Sequence, residues 1–532
     1  MTILTYPEIA LDGLLRRAAH RDPHGTAVTT ERGSLTFAEL DREADRIAHR
    51  LTATLGARGA VVGVANVLDP VFPAAYYGTA RAGHTVALIN PLLGEAALRH
   101  VCATAGIEVV FVPSATAELL TKLAETLPRL HTVVVTDAAD GVVPGASVPL
   151  TAALAAVPEA PYEAPPADPD AVVCVQFTTG TTGRSKGVRL THRNLVANAA
   201  QIALAHRLDG DSVTLNHLPL YHTMHLNSAV LAGAAQVLCR DPDPVASLAV
   251  AARAGATHYY GLPARLHRLA ADDRLVRPTE GVPAGPRLTA VLSGGTALAP
   301  AAARRLREAL RVPVIQGYGL AELSPLAHNQ LPDAEPAAGA VGPPVPGTEC
   351  RVVSLGGREP VDVWSTGEVQ IRGPQVMAGY LDDSEPSPVD ADGWLSTGDV
   401  GYLGADGGLH LVDRLGDVFK YDNELVSPSH VERILAEDPR VAECVVADWP
   451  DPVHGAVVWA GVVLREVPDG PADTLLDLLD SVGERANARL GHADRIRRLE
   501  ALDAVPRNAG GKPARREVRA RLRADAAAEQ AA

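Results

Sequence analysis

Apolar residues in the first part of the chain fall into two alternating rhythms. Phe37-Ala38-Glu39-Leu40 opens an amphipathic helical period that runs through Ile47. Val61-Val62-Gly63-Val64-Ala65, Val109-Val110-Phe111-Val112 and Thr132-Val133-Val134-Val135-Thr136 are instead short apolar runs of β type, the last two separated by a helical stretch. Buried runs alternating with amphipathic ones predict α/β layers with largely parallel strands. Residues 157–170, rich in Pro, Ala, Glu and Asp, read as a surface connection. From about 345 to 412 short strand patterns with Gly and Asp-Gly turns predict a small β-barrel-like subdomain. Beyond Arg414 follow a helix from Ser429 to Ala436, strand-like runs from Val441 to Ala447 and from Ala456 to Leu464, and a helix over 473–489. The expected architecture is a large N-terminal α/β domain over residues 1–413 and a small α+β domain over 414–532. Gly416 is the expected hinge between them, because glycine absorbs large backbone changes.

Composition narrows the function classes. The 532 residues exceed one ordinary core, which agrees with two or more domains. A formal charge of −15 argues against nucleic acid as a partner, since a polyanion needs a basic face. No apolar run approaches the roughly 20 residues that span a bilayer. The opening Met1-Thr2-Ile3-Leu4-Thr5-Tyr6-Pro7 lacks the basic-then-apolar pattern of a signal peptide. Five cysteines stand singly, without metal-ligand spacing, and read as structural thiols in a reducing cytoplasm.

The chain has only four lysines against 44 arginines, so the positions of the lysines carry information. Three of them lie in glycine-marked or charged segments: Lys186 closes Thr178-Thr179-Gly180-Thr181-Thr182-Gly183-Arg184-Ser185-Lys186-Gly187, Lys420 follows Asp413-Arg414-Leu415-Gly416-Asp417, and Lys512 follows Asn508-Ala509-Gly510-Gly511. A compact ammonium fits beside a phosphate where a planar guanidinium does not. The first segment leaves the apolar run Ala171–Phe177 and lacks the Walker A spacing. Its hydroxyls and glycine amides can still surround phosphate oxygens, with Lys186 as counter-charge.

That loop resembles the phosphate-binding signature of the adenylate-forming superfamily, which includes acyl-CoA synthetases, aryl-CoA ligases, luciferases and peptide-synthetase adenylation domains. Further segments match in order: Leu218-Pro219-Leu220-Tyr221-His222, Ser293-Gly294-Gly295-Thr296-Ala297-Leu298, Gln316-Gly317-Tyr318-Gly319-Leu320-Ala321-Glu322, Gly367–Gly373 and Gly393–Asp399. The resemblance covers nearly the whole chain and implies an enzyme that uses ATP and Mg²⁺ to adenylate a carboxylic acid. It implies that Thr178, Thr179, Gly180, Thr181, Thr182 and Lys186 hold phosphates. Tyr318 would lie against the adenine with Gly295, Thr296 and Ala297 along it. Gln316, Gly317 and Gly319 would also bind the nucleotide, Gln316 and Gly317 bordering the acyl pocket as well, and Asp399 and Arg414 would hold the ribose. Glu322 would hold the metal, and Lys512 would offset charge between the attacking anion and the α-phosphate. Lys420 would touch the adenylate, and His222 would gate an acyl pocket walled by Met224, His225, Asn227, Ser293, Gly294, Leu320 and Ser324. It also implies that the small domain rotates between the half-reactions.

Departures from the family pattern fall at functional positions. Ala321 replaces a threonine whose hydroxyl contacts phosphate, a loss of about 0.5–1.5 kcal/mol. Asn423, between Asp422 and Glu424, replaces a glycine near the thioester-forming tunnel, although asparagine tolerates left-handed backbone. His225 replaces a small residue, and with Asn227 it favours a short polar or aromatic acid over a long alkyl chain. CoA is the leading acceptor. A carrier-protein thiol, an amine, or nitrite with an aryl amine stand as alternatives, as does a catalytically reduced nucleotide-binding protein.

Overall fold

A computed structural model describes residues 4–56, 59–138, 142–178, 185–276, 287–382, 384, 386–466, 472–507 and 513–531. Two compact units emerge. The first comprises Met1–Arg351, Gln370–Ser396 and Ala405–Leu409, and the second Val352–Val369, Thr397–Gly404 and His410–Ala532.

The first unit contains two eight-stranded sheets. One runs in the order Leu326–Asn329, Val314–Gly319, Ala290–Ser293, His258–Gly261, Val213–His217, Ala235–Leu238, Thr26–Thr30, Gly33–Thr36. Its inner strands from Val314–Gly319 through Thr26–Thr30 are parallel, as the buried apolar runs require. The other sheet runs Gly379–Tyr380, Gly187–Thr191, Val172–Phe177, Thr85–Ile89, Val61–Ala65, Val109–Val112, Thr132–Val135, Val148–Pro149. The expected strands at 61–65 and 109–112 appear at those residues.

The first amphipathic helix is longer than its opening pattern suggests, running Phe37–Leu55. Thr36 and Glu39 close a reciprocal capping box at its start, with bonds of 3.2 and 2.8 Å. Buried Leu51 continues the apolar stripe past Ile47, and Gly56 at φ 68° ends it. Arg81, fully buried in the helix Val71–Arg81, pairs with Asp41, Asp45 and Asp12 at 2.5, 2.7 and 3.4 Å. That network fixes the helix carrying Tyr76 and Tyr77.

The second unit is built on the strands Val441–Asp451, Gly455–Leu464 and Ile496–Ala501, with the hairpin Phe419–Tyr421 and Glu424–Val426. The helices Pro428–Leu435 and Arg515–Ala531 pack on Val441–Asp451, around a core that includes Trp459, Val445 and Leu522. The sequence-predicted α+β pattern after Arg414 is therefore present, with the first strand extending four residues past its apolar run, to Asp451, and the second starting one residue earlier, at Gly455. Among the described residues no helix is long and apolar enough to cross a membrane.

Candidate active site

The site of the first unit grows from the carboxyl ends of parallel strands. After Val213–His217 the chain adds Ala235–Leu238 on one side and His258–Gly261 on the other. Such a reversal opens a crevice at the strand ends, where ligands of open α/β sheets bind. Three of the sequence motifs leave from this edge. Leu218–His222 follows His217, Gly294–Ala297 follows Ser293, and Leu320–Glu322 follows Gly319.

Ser293 and Gln316 are register partners on adjacent strands. A Cβ on Gly294 would stand 3.4 Å from the Gly317 carbonyl, so the two glycine segments lie side by side. The Gln316 side chain accepts the Leu298 N–H at 2.8 Å and fixes the loop whose Gly295, Thr296 and Ala297 are exposed. Tyr318 is largely covered, its ring 5.8 Å from that of His328. At Gly319 a side chain would collide with the Pro325 carbonyl, so this strand end must be glycine.

The phosphate-loop expectation is described only at its ends. Thr179, Gly180, Thr181 and Thr182, like Lys512, lie outside the described residues. Thr178 and Lys186 pinch the loop shut: the Thr178 N–H donates to the Lys186 carbonyl at 2.9 Å, and the Lys186 N–H to Thr178 Oγ1 at 3.1 Å. The half-buried Glu322 accepts the Tyr380 hydroxyl at 2.8 Å, and its carbonyl takes the Met377 N–H at 2.9 Å. The Lys186 ammonium lies over the Tyr380 ring, 5.0 Å from its centre. The fold thus joins Lys186 and Glu322 through Tyr380, a residue that sequence motifs do not single out.

The proposed acyl-pocket residues divide into two groups. His222 caps the helix Thr223–Ala232, its Nδ1 accepting the Met224 N–H at 3.1 Å. Burial holds the His222 imidazole down at about 4. The His225 ring packs tilted against Tyr260 with ring centres 4.1 Å apart, and its buried Nδ1 has no hydrogen-bond partner. Burial, then the neighbouring His222 and His206, push its pKa well below the ordinary imidazole value. The buried hydroxyl of Ser293 is likewise unpartnered.

The second group is committed to the scaffold. Asn227 accepts the Tyr77 hydroxyl at 2.9 Å and donates to Tyr76 at 3.2 Å, so its amide is already satisfied. Ser324 donates to the Gln375 carbonyl at 2.8 Å. Met224 packs against the cluster of Ile202, Leu326 and Val345.

In the second unit, Arg414 Nε lies 2.8 Å from Asp399 Oδ1. The Asp399 N–H donates to Thr397 Oγ1 at 3.0 Å, and the Thr397 hydroxyl to the Val369 carbonyl at 2.7 Å. Glu368 has its pKa raised by burial and secondarily by the charge of Asp399. Lys420 is exposed on its hairpin. The hairpin turns through Asp422 and Asn423 alone, at φ 46° and 67°, the left-handed pair of a type I′ turn. Asparagine therefore adopts the backbone that the usual glycine would supply. Both Asp422 carboxylate oxygens lie 2.9 Å from His454 Nδ1. Arg519, on the last helix, donates to the carbonyls of Gly416 and Asp417.

Comparison with known proteins agrees with this geometry. The family model described as AMP-binding enzyme matches residues 15–381, and that described as AMP-binding enzyme C-terminal domain matches residues 430–512. Feruloyl-CoA synthase of Amycolatopsis sp is 31% identical over 514 residues, covering 95% of this chain and 98% of its own. The 4-coumarate–CoA ligase 2 of Oryza sativa subsp. japonica is 30% identical over 527 residues, covering 92% and 88%. The crystal structure of ATP-bound MatB from Rhodopseudomonas palustris matches with a TM-score of 0.84 at 25% identity, covering 97% of this chain and all of that one. The chain belongs to the AMP-binding enzyme family and is an adenylate-forming enzyme of the acyl- and aryl-CoA ligase type.

Proposed function

We propose that the protein uses ATP to adenylate a small polar or aromatic carboxylic acid and then passes the acyl group to CoA. The observation that carries this reading is the convergence of Leu218–His222, Gly294–Ala297 and Leu320–Glu322 on one carboxyl edge of a parallel sheet. Relatives named for feruloyl-CoA and for 4-coumarate–CoA ligation support an aryl acid and CoA. The unpartnered His225 Nδ1 and Ser293 hydroxyl, both buried, favour an acid with a hydrogen-bonding substituent over an alkyl chain.

In the first step the substrate carboxylate attacks the α-phosphorus of ATP, and the bond to the bridging oxygen breaks with its electron pair leaving on pyrophosphate. Thr178 to Thr182 and Lys186 are assigned to the phosphates, and Gly295, Thr296, Ala297 and Tyr318 to the adenine. Asp399 and Arg414 are assigned to the ribose, and Lys512 to the charge that develops between carboxylate and α-phosphate. Mg²⁺ is commonly held by one or two carboxylates together with substrate phosphates. Glu322 fits that habit: it is a single half-buried carboxylate. Mg²⁺, when bound, supplies charge neutralisation to the phosphates.

In the second step the CoA thiolate attacks the acyl carbonyl and AMP departs. The Asp422–Asn423 turn adopts the left-handed backbone that a glycine would supply, and the carboxylate of Asp422 faces His454. The same reading sets the domain boundary at 413/414 with Gly416 as hinge. It assigns a reducing cytoplasmic setting, the reading given by five cysteines standing singly along the sequence.

AMP formation across a panel of acids, with and without CoA, a generic amine, and nitrite plus amino-aryl acids, tests this reading. Strong CoA stimulation with an acyl-CoA product is expected. No AMP with any acid would overturn adenylation, better turnover of palmitate than of hydroxylated aryl acids would overturn the substrate class, and stimulation by amine or nitrite alone would replace the acceptor.

A further inference from the structure

Lys186 and Glu322 lie 136 positions apart in sequence, and Tyr380 engages both. The backbone explains how. Gly379–Tyr380 pairs antiparallel with Gly187–Thr191, the strand that begins immediately after Lys186, with Tyr380 opposite Val188. The Met377 N–H holds the Glu322 carbonyl from the same approach. These backbone bonds anchor all three segments without the phenol. The hydroxyl and ring of Tyr380 therefore add something the scaffold does not need, namely control over two charged side chains.

The hydroxyl donates to Glu322 Oε1 at 2.8 Å, a charge-assisted bond that fixes the carboxylate rotamer and leaves Oε2 to meet a cation. The ring face lies within cation–π range of Lys186 Nζ, 5.0 Å from the ring centre, and favours an ammonium held there. A carboxylate and an ammonium steered by one rigid aromatic suit a ligand that brings a divalent cation and phosphate oxygens together. We propose that Tyr380 is a positioning residue that sets Glu322 for the metal and Lys186 for the phosphates of the metal–nucleotide complex. This rests on the adenylation reading above.

Two variants separate the hydroxyl from the ring. Tyr380→Phe keeps the ring and removes the bond to Glu322, whereas Tyr380→Leu removes both. The readout is binding rather than turnover: Mn²⁺ titration by electron paramagnetic resonance with α,β-methylene-ATP, and calorimetric titration of the same analogue without metal. Tyr380→Phe should weaken Mn²⁺ retention about tenfold while leaving metal-free nucleotide affinity within about twofold. Tyr380→Leu should lose about a further threefold in metal-free nucleotide affinity. Should the leucine variant fail to fold, the phenylalanine variant decides alone. If wild type retains Mn²⁺ and Tyr380→Phe retains it equally well, the Tyr380 proposal falls and the adenylation reading stands. If wild type retains no Mn²⁺ with the analogue, the adenylation reading falls and takes this proposal with it.

Discussion

Arg414 Nε sits 2.8 Å from Asp399 Oδ1, so the carboxylate assigned to the ribose is already oriented by a guanidinium. Asp399 is only 5% exposed, and its own N–H is held by Thr397. An acceptor fixed in this way loses little entropy on meeting two hydroxyls. Asp399→Ala should raise the KM for ATP about ten- to a hundredfold, as expected for lost charge-assisted hydrogen bonds. Arg414→Lys, which substitutes a point charge for a directional donor, should raise it by less. Steady-state pyrophosphate release against ATP concentration measures both, and an unchanged KM in Asp399→Ala would remove this residue from the nucleotide site.

The buried histidines make stability depend on pH in a defined direction. Burial holds His192, His217 and His222 down at about 4, and His206 and His328 at about 3. Their unfolded value is about 6.5. Below that value the unfolded chain binds protons that the folded chain refuses, so stability is full above about 6.5 and falls as the pH drops towards 4. Each such group contributes up to about 1.4 kcal/mol per pH unit within that window. Calorimetric Tm values between pH 8 and pH 4 should fall mainly below about 6.5. His222→Gln should flatten the decline, and an equal slope in that variant would show that His222 is not held neutral.

Gly416 has open space where a Cβ would stand, and its carbonyl accepts a bond from Arg519. Gly416→Ala should therefore leave both half-reactions within about twofold. Gly416→Pro, which fixes φ, should slow thioester formation more than adenylate formation. Rapid-quench measurement of acyl-AMP and acyl-CoA distinguishes the steps. Equal losses in both steps for the proline variant would speak against a hinge at this position.

How much of this was legible in the sequence follows from the range of the interactions involved. Strands such as Val61–Ala65 and Val109–Val112 are legible because burial on both faces writes an unbroken apolar run. The motif loops are legible because their glycines, hydroxyls and rare lysines resemble the signatures of the adenylate-forming superfamily. Asn227 is different: the family resemblance implies a pocket wall, but in the fold it answers Tyr76 and Tyr77 on a helix far away in sequence. Tyr380 escapes notice for the same reason. It occupies a two-residue strand with no periodicity, and its meaning arises only when that strand pairs beside Lys186. Contacts across 150 or more positions, such as Tyr77 with Asn227, leave no local trace.

Acid-dependent exchange of labelled pyrophosphate into ATP tests the central claim most directly, because it reports the reversible adenylation step without needing an acceptor. The account predicts exchange that requires a hydroxylated or amino-substituted aryl acid together with Mg²⁺, and that falls about 10²–10³-fold in Lys512→Ala. Absence of exchange with every acid tried, or exchange that Lys512→Ala leaves unchanged, would contradict it.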